Sequence, residues 1–141
     1  MSVYYTNEAA FDLMEGPCAD RSVTVLVREA PSGGAVTLTI ERHPMPVGKS
    51  LRELVKAHVG QTTLMKRGVA VLFEREREAG GAPAIEVGLR SRGESGMMFS
   101  HEAHVAAGGA RLLFAANAAF ADRDAASAQV EHVLDTLRLR E

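Results

Sequence analysis

Over most of the chain apolar and polar residues alternate in short runs, each closed by Gly, Pro, Asn or Asp, the pattern of strands joined by tight turns. Two short extended pieces, 3–6 and 9–13, come first, followed by a Gly16-Pro17 loop. Residues 22–30 and 35–42 flank Pro31-Ser32-Gly33-Gly34 and read as a hairpin. Pro44 and Pro46 end it, because a residue without an N–H is excluded from a sheet interior. Four strands follow at 69–77, 84–92, 97–107 and 110–118, with Gly80-Gly81, Gly93 to Gly96 and Gly108-Gly109 as the turns of an antiparallel meander.

Two stretches carry the helical period instead. Ser50 and Glu53 make a capping box, and Leu51, Leu54, Val55, His58 and Val59 fall on one face of a helix running to about Gly60 or a turn beyond. Asp124 can cap a second helix over 125–138, striped by Val130, Val133, Leu134 and Leu137. The pattern predicts an α+β fold in a single domain, 1–141: an antiparallel β-sheet with two helices packed on one face.

Composition narrows the function. At 46% hydrophobic and 24% charged the chain is ordinarily globular, and a net charge of -2 removes the electrostatic argument for nucleic acid. Residues 1–8 contain no Lys or Arg and no apolar run, so no signal peptide is expected and the location expected is cytoplasmic. Cys18 is the only cysteine, which forbids an internal disulfide. The least polar window, 105–121, is interrupted by Gly108, Gly109, Arg111 and Asn117, so direct membrane insertion is not expected either. Aromatics are only 5%, with no Trp; small and β-branched residues dominate the apolar set.

No chemical motif survives inspection. Gly48-Lys49-Ser50 lacks the P-loop's first glycine, with His43 in its place, and Pro44 and Pro46 stiffen the would-be phosphate cradle. In His101-Glu102-Ala103-His104 the imidazoles are three apart on a strand and point to opposite faces, unlike the helical i, i+4 pair of a zinc site. His43, His58 and His132 are isolated in sequence, and there is no nucleophile elbow. Neither an enzyme, a metal nor a cofactor is expected. The alternating run Glu74-Arg75-Glu76-Arg77-Glu78 reads as a solvated edge that blocks unwanted pairing.

The sheet, however, has apolar residues on both faces. Val36, Leu38 and Ile40 separate from Thr37, Thr39 and Glu41, but Val23, Val25 and Val27 interleave with Leu26, Val69 and Val71 with Ala70 and Leu72, and Leu112 and Phe114 with Leu113 and Ala115. If Leu26 joins Leu38 and Ile40 under the helices, Val23 and Val25 are left on the open face beside Thr39, with polar Ser100, Glu102 and His104 from the neighbouring strand. Such a face is a candidate for burial against another chain.

Several segments resemble a known family. Tyr4, Asn7-Glu8, Phe11 and Leu13, then Asp20-Arg21-Ser22-Val23 with Val25-Leu26, Arg42 and Pro44 with Gly48, Ser50 and Leu51, Gly81 with Pro83-Ala84 and Glu86, and Leu134 with Leu137-Arg138-Leu139 resemble the DcrB-like family in its short cytoplasmic form. That form is similar to the effector-associated adaptor chaperones of bacterial type VI secretion. Thr24 stands where Asn is expected, and Ser100, Glu102 and His104 where the family often has Gln or Arg. The resemblance implies a PsbP-like fold, a homodimer and no catalysis. It also implies a client: the hydrophobic N-terminal transmembrane helices of a PAAR-containing effector, shielded before export. The expected client-binding residues are Val23, Val25, Thr39, Glu102 and His104. The rival readings are a DcrB- or PsbP-like structural subunit without such a client, and an enzyme or small-molecule binder with a pocket around the strand histidines.

Overall fold

The computed structural model describes residues 2–5, 10–13 and 23–139. Strands β1 (Ser2–Tyr5) and β2 (Ala10–Leu13) pair with each other. The remaining alternating segments become β3 (Val23–Glu29), β4 (Ala35–Pro44), β5 (Arg67–Ala79), β6 (Ala82–Gly93), β7 (Gly96–Ala107) and β8 (Ala110–Ala119). They form one six-stranded sheet in the order β3-β4-β8-β7-β6-β5, antiparallel throughout. The Gly16-Pro17 loop, Cys18 and the Asn7-Glu8 and Asp20-Arg21-Ser22 segments lie outside the described residues.

Helix α1 (Leu51–Met65) begins where the capping box predicts, with the Ser50 hydroxyl accepting from the Glu53 N–H at 3.2 Å. Helix α2 (Arg123–Thr136) begins one residue after Asp122, two positions ahead of the cap expected at Asp124. A short 3-10 turn, Phe120–Asp122, leads into it. The Asp122 carboxylate is buried and accepts from the Ser32 hydroxyl at 2.6 Å, so the tip of the β3–β4 hairpin sets where α2 starts.

The α+β class and the antiparallel sheet are as predicted, but the helices do not share a face. Ile85, Val87 and Leu89 of β6 pack against Leu51 and Val55 of α1, whereas Ala84 of β6 and Phe99, Ala103 and Val105 of β7 pack against Ala126, Val130 and Leu134 of α2. Neighbouring residues of a strand point to opposite sides, so α1 and α2 sandwich the sheet. This accounts for the interleaved apolar positions in β8, where Leu113 and Ala115 are buried on one side and Phe114 and Ala116 on the other. In β5 the register slips between Val71 and Phe73, sending Val69 toward α1 and the Phe73 ring toward α2 and leaving Leu72 exposed.

The scarcity of aromatics is explained by the α2 layer. Alanines at 84, 103, 116, 118 and 126 let the helix approach the strands closely, and Phe73, Phe99, Phe114 and Phe120 fill the larger gaps. Gly88 is part of this fit: a Cβ there would lie 2.2 Å from the Phe73 ring. None of the described helices is long and apolar enough to cross a membrane.

Candidate functional site

Antiparallel register carries one row of side chains across the sheet: Val25 lies opposite Thr39, Thr39 opposite Ala115, and Ala115 opposite Glu102. The adjacent row runs Val23, Glu41, Leu113, His104. All five expected residues, Val23, Val25, Thr39, Glu102 and His104, therefore sit on the α1 side of the sheet. They divide sharply in accessibility. Val23 and Val25 are 52% and 55% exposed, with Val27 at 67%, and Thr39 is half-buried. Glu102 is buried and His104 is fully so, which removes both from any open surface.

The reason is α1, which packs over β5, β6 and β7 rather than over β3 and β4. His58, on the apolar stripe of α1, donates from Nε2 to Glu102 Oε2 at 3.3 Å. The His104 ring packs edge-on to His58, centroids 5.1 Å apart, and its Nε2 faces Glu102 Oε1 at 3.5 Å. Arg111, itself buried, donates to His104 Nδ1 at 2.7 Å. His58 and Arg111 were missed as partners by the sequence reading. The usable signal was His58 itself: a polar side chain on the buried stripe of a helix needs a partner from the sheet.

Charge state follows from these contacts. Burial works to raise the Glu102 carboxyl, but His104 and His58 outweigh it and hold it at about 2. Burial lowers the His104 imidazole, assisted by the charges of His58 and Arg111 and opposed by Glu102. His104 is thus a neutral ring, and because Arg111 occupies the Nδ1 lone pair, its proton sits on Nε2, 3.5 Å from Glu102 Oε1 but outside hydrogen-bond geometry.

A second buried cluster lies on the α2 side. His101, fully buried, contacts Glu86 Oε1 through Nε2 at 2.7 Å and the Ser127 hydroxyl of α2 through Nδ1 at 2.8 Å. Arg75 bridges Glu86 at 2.9 Å and Glu131 at 2.5 Å, and Arg77 reaches Glu131 and Asp135, both at 3.0 Å. The arginines of the alternating β5 run are therefore the rivets of α2, while Glu76 on the opposite face pairs with Arg52 of α1. Burial raises the Glu86 carboxyl, but hydrogen bonds from His101 and Arg75 leave it net well below the usual range.

Each cluster gathers three groups with ligand atoms within 4.8 Å, His58, Glu102 and His104 on one side and Glu86, His101 and Glu131 on the other. Neither arrangement suits a cation. A metal at His104 Nε2 would need a lone pair that the Arg111 hydrogen bond denies, and Arg75 already supplies the positive charge between Glu86 and Glu131. Both clusters are polar pins that lock a helix to its side of the sheet. Along β3 the α1 side presents an exposed apolar strip, Val23, Val25 and Val27, beside the half-buried Thr37 and Thr39.

Comparison with known proteins places this architecture. A protein of unknown function from Pseudomonas aeruginosa, PA94, described as a candidate regulator, superposes with a TM-score of 0.81 at 14% identity, over 99% of this chain and 97% of that one. The cyanobacterial PsbP of Synechocystis sp. PCC 6803 superposes with a TM-score of 0.54 at 13% identity, over 79% and 78% of the two chains. These likenesses are ones of fold. No curated protein matches the sequence. The family model for DcrB matches residues 8–136, nearly the whole sheet and both helices, and by that match the chain belongs to the DcrB family.

Proposed function

We propose that the protein is a non-catalytic adaptor chaperone of type VI secretion, which binds the hydrophobic N-terminal helices of a PAAR-containing effector, shields them from water in the cytoplasm and aids their loading. The observation that carries this reading is the valine strip of β3: three large apolar side chains in one row, each more than half exposed, flanked by Thr37 and Thr39. Such a surface suits an apolar helix with small-residue ridges, because valines present a smooth stiff wall and threonine hydroxyls can meet a client Ser or Asn. Burying each matched side chain is worth about 1.5–3 kcal/mol, so affinity is spread over the strip and tolerates variation in client sequence. An enzyme built on the strand histidines is disfavoured by their burial, since His101 and His104 are both 0% exposed and already bonded.

Co-expression with an N-terminal effector fragment tests the proposal. Val25→Asp and Val27→Asp should each abolish co-purification while leaving the circular dichroism spectrum unchanged; retained binding by the well-folded variants would sink it. One feature favours the alternative of a partner-binding subunit without such a client. β3 is an edge strand of the six-stranded sheet, and among the described residues no further strand pairs with it, which offers a backbone edge to a second copy. On that reading Val25→Asp would dissociate a client-free homodimer, seen by light scattering, and no client would be captured by the wild type.

A further inference from the structure

At the opposite edge of the sheet, Arg67, Arg90 and Arg92 line one concavity of about 840 Å³ together with Gly68, Gly93, Glu94 and Met97. Arg67 lies directly across from Arg92, and Arg90 follows two positions away on the same strand. Like charges directly opposed across strands repel. Among the described residues none of the three has an ion-pair partner, although the arginines farther along β5 are fully paired with Glu86, Glu131 and Asp135. Arg90 in addition holds its Nε buried without an acceptor, an arrangement that costs free energy until an oxygen is supplied.

The backbone is shaped around these side chains. Gly68 has φ +60, in the left-handed region, at a point where β5 slips register against β6. A Cβ on Gly68 would lie 3.2 Å from Arg92 Cγ, so the glycine bulge makes room for the Arg92 stem to cross the strand. Three guanidinium groups, which never deprotonate, against the single carboxylate of Glu94 leave a concentrated positive charge on a chain whose net charge is -2. Met97 lines the concavity and is partly exposed, at 37%.

We propose that this corner is a phosphate-binding site, in which Arg67, Arg90 and Arg92 donate to the oxygens of a phosphate monoester or diester. Guanidinium forks match phosphate geometry in pairs, and Arg90 Nε is the donor that such an oxygen would complete. The phosphate can belong to a soluble ligand or to a lipid headgroup, with Met97 as the apolar contact in the second case.

Calorimetric titration of the full chain with pyrophosphate at low salt, alongside co-sedimentation with phosphatidylcholine vesicles with and without phosphatidylglycerol, tests this. Pyrophosphate binding alone identifies a soluble source, and binding to the anionic vesicles alone identifies a headgroup; either supports the site. Arg90→Ala/Arg92→Ala should weaken binding about tenfold or more, and Arg90→Lys, which keeps the charge but loses Nε, should weaken it measurably. Arg28→Ala/Arg42→Ala, which removes the same charge near the other edge, should leave it within about twofold. The proposal is overturned if the wild type binds neither probe, or if the two double variants lose binding equally.

Discussion

Gly88 and Phe73 show how single residues set the shape of this molecule. The ring occupies the space where any other residue at 88 would place its Cβ, and it lies edge-on to His101 with centroids 5.1 Å apart. Gly88→Ala should therefore lower stability by about 1–3 kcal/mol, the usual cost of overpacking, as measured by urea denaturation. Trimming the ring in the Phe73→Leu/Gly88→Ala double variant should recover part of that loss, which identifies the clash as its cause. His58 and Arg111 illustrate the other residue-scale lesson. Each is unremarkable in sequence, and each gains its role from one contact across the fold, with Glu102 and with His104.

At the scale of elements, the helices are placed by their ends and by polar pins as much as by their stripes. The Ser50 cap satisfies an N–H at the start of α1, and Ser50→Ala should cost about 1 kcal/mol by denaturant midpoint, because the rest of the helix is already held by Leu51 and Val55. Residue pattern located α1 and its cap correctly, since both are local. It misplaced the start of α2, because Asp122 is fixed by Ser32, a residue ninety positions away. It also put both helices on one side. Amphipathic stripes say which face of a helix is buried, but the side of a sheet it chooses depends on how the connections cross, and that is a long-range matter.

For the whole molecule, two buried carboxylates on opposite sides of one sheet set the response to acid. Glu102 is held at about 2, below its ordinary 4.5, so the folded state releases a proton that the unfolded chain retains between those values. Stability from this group is full above 4.5 and falls away as pH drops through the window to about 2. Glu86, also lowered, acts in the same direction, while Glu131, raised chiefly by its hydrogen bond with Glu86, offsets part of the effect. Depression of the His104 imidazole adds a loss that begins as pH falls below 6.5, because only the unfolded chain takes up that proton readily. Glu102→Gln should be less stable near neutrality, and its denaturation midpoint should depend less steeply on pH below 4.5, by about one proton. An unchanged slope would mean that Glu102 carries no such linkage.

The strands, their turns, both helices and the α+β class were legible in the amino-acid order, because period, caps and glycine turns act over a few residues. So was the surplus of apolar positions, though not its purpose. Tertiary structure divided that surplus: Ile85, Val87 and Leu89 became a second core under α1, Leu113 and Ala115 were buried on the same side of the sheet, and valines 23, 25 and 27 stayed open along β3. It also withdrew Glu102 and His104 from the surface and drew Arg67, Arg90 and Arg92 together at the far edge. The difference is one of range. Alternation determines which residues share a face of a strand, whereas strand order and helix placement, set by contacts distant in sequence, determine which of those faces meets water.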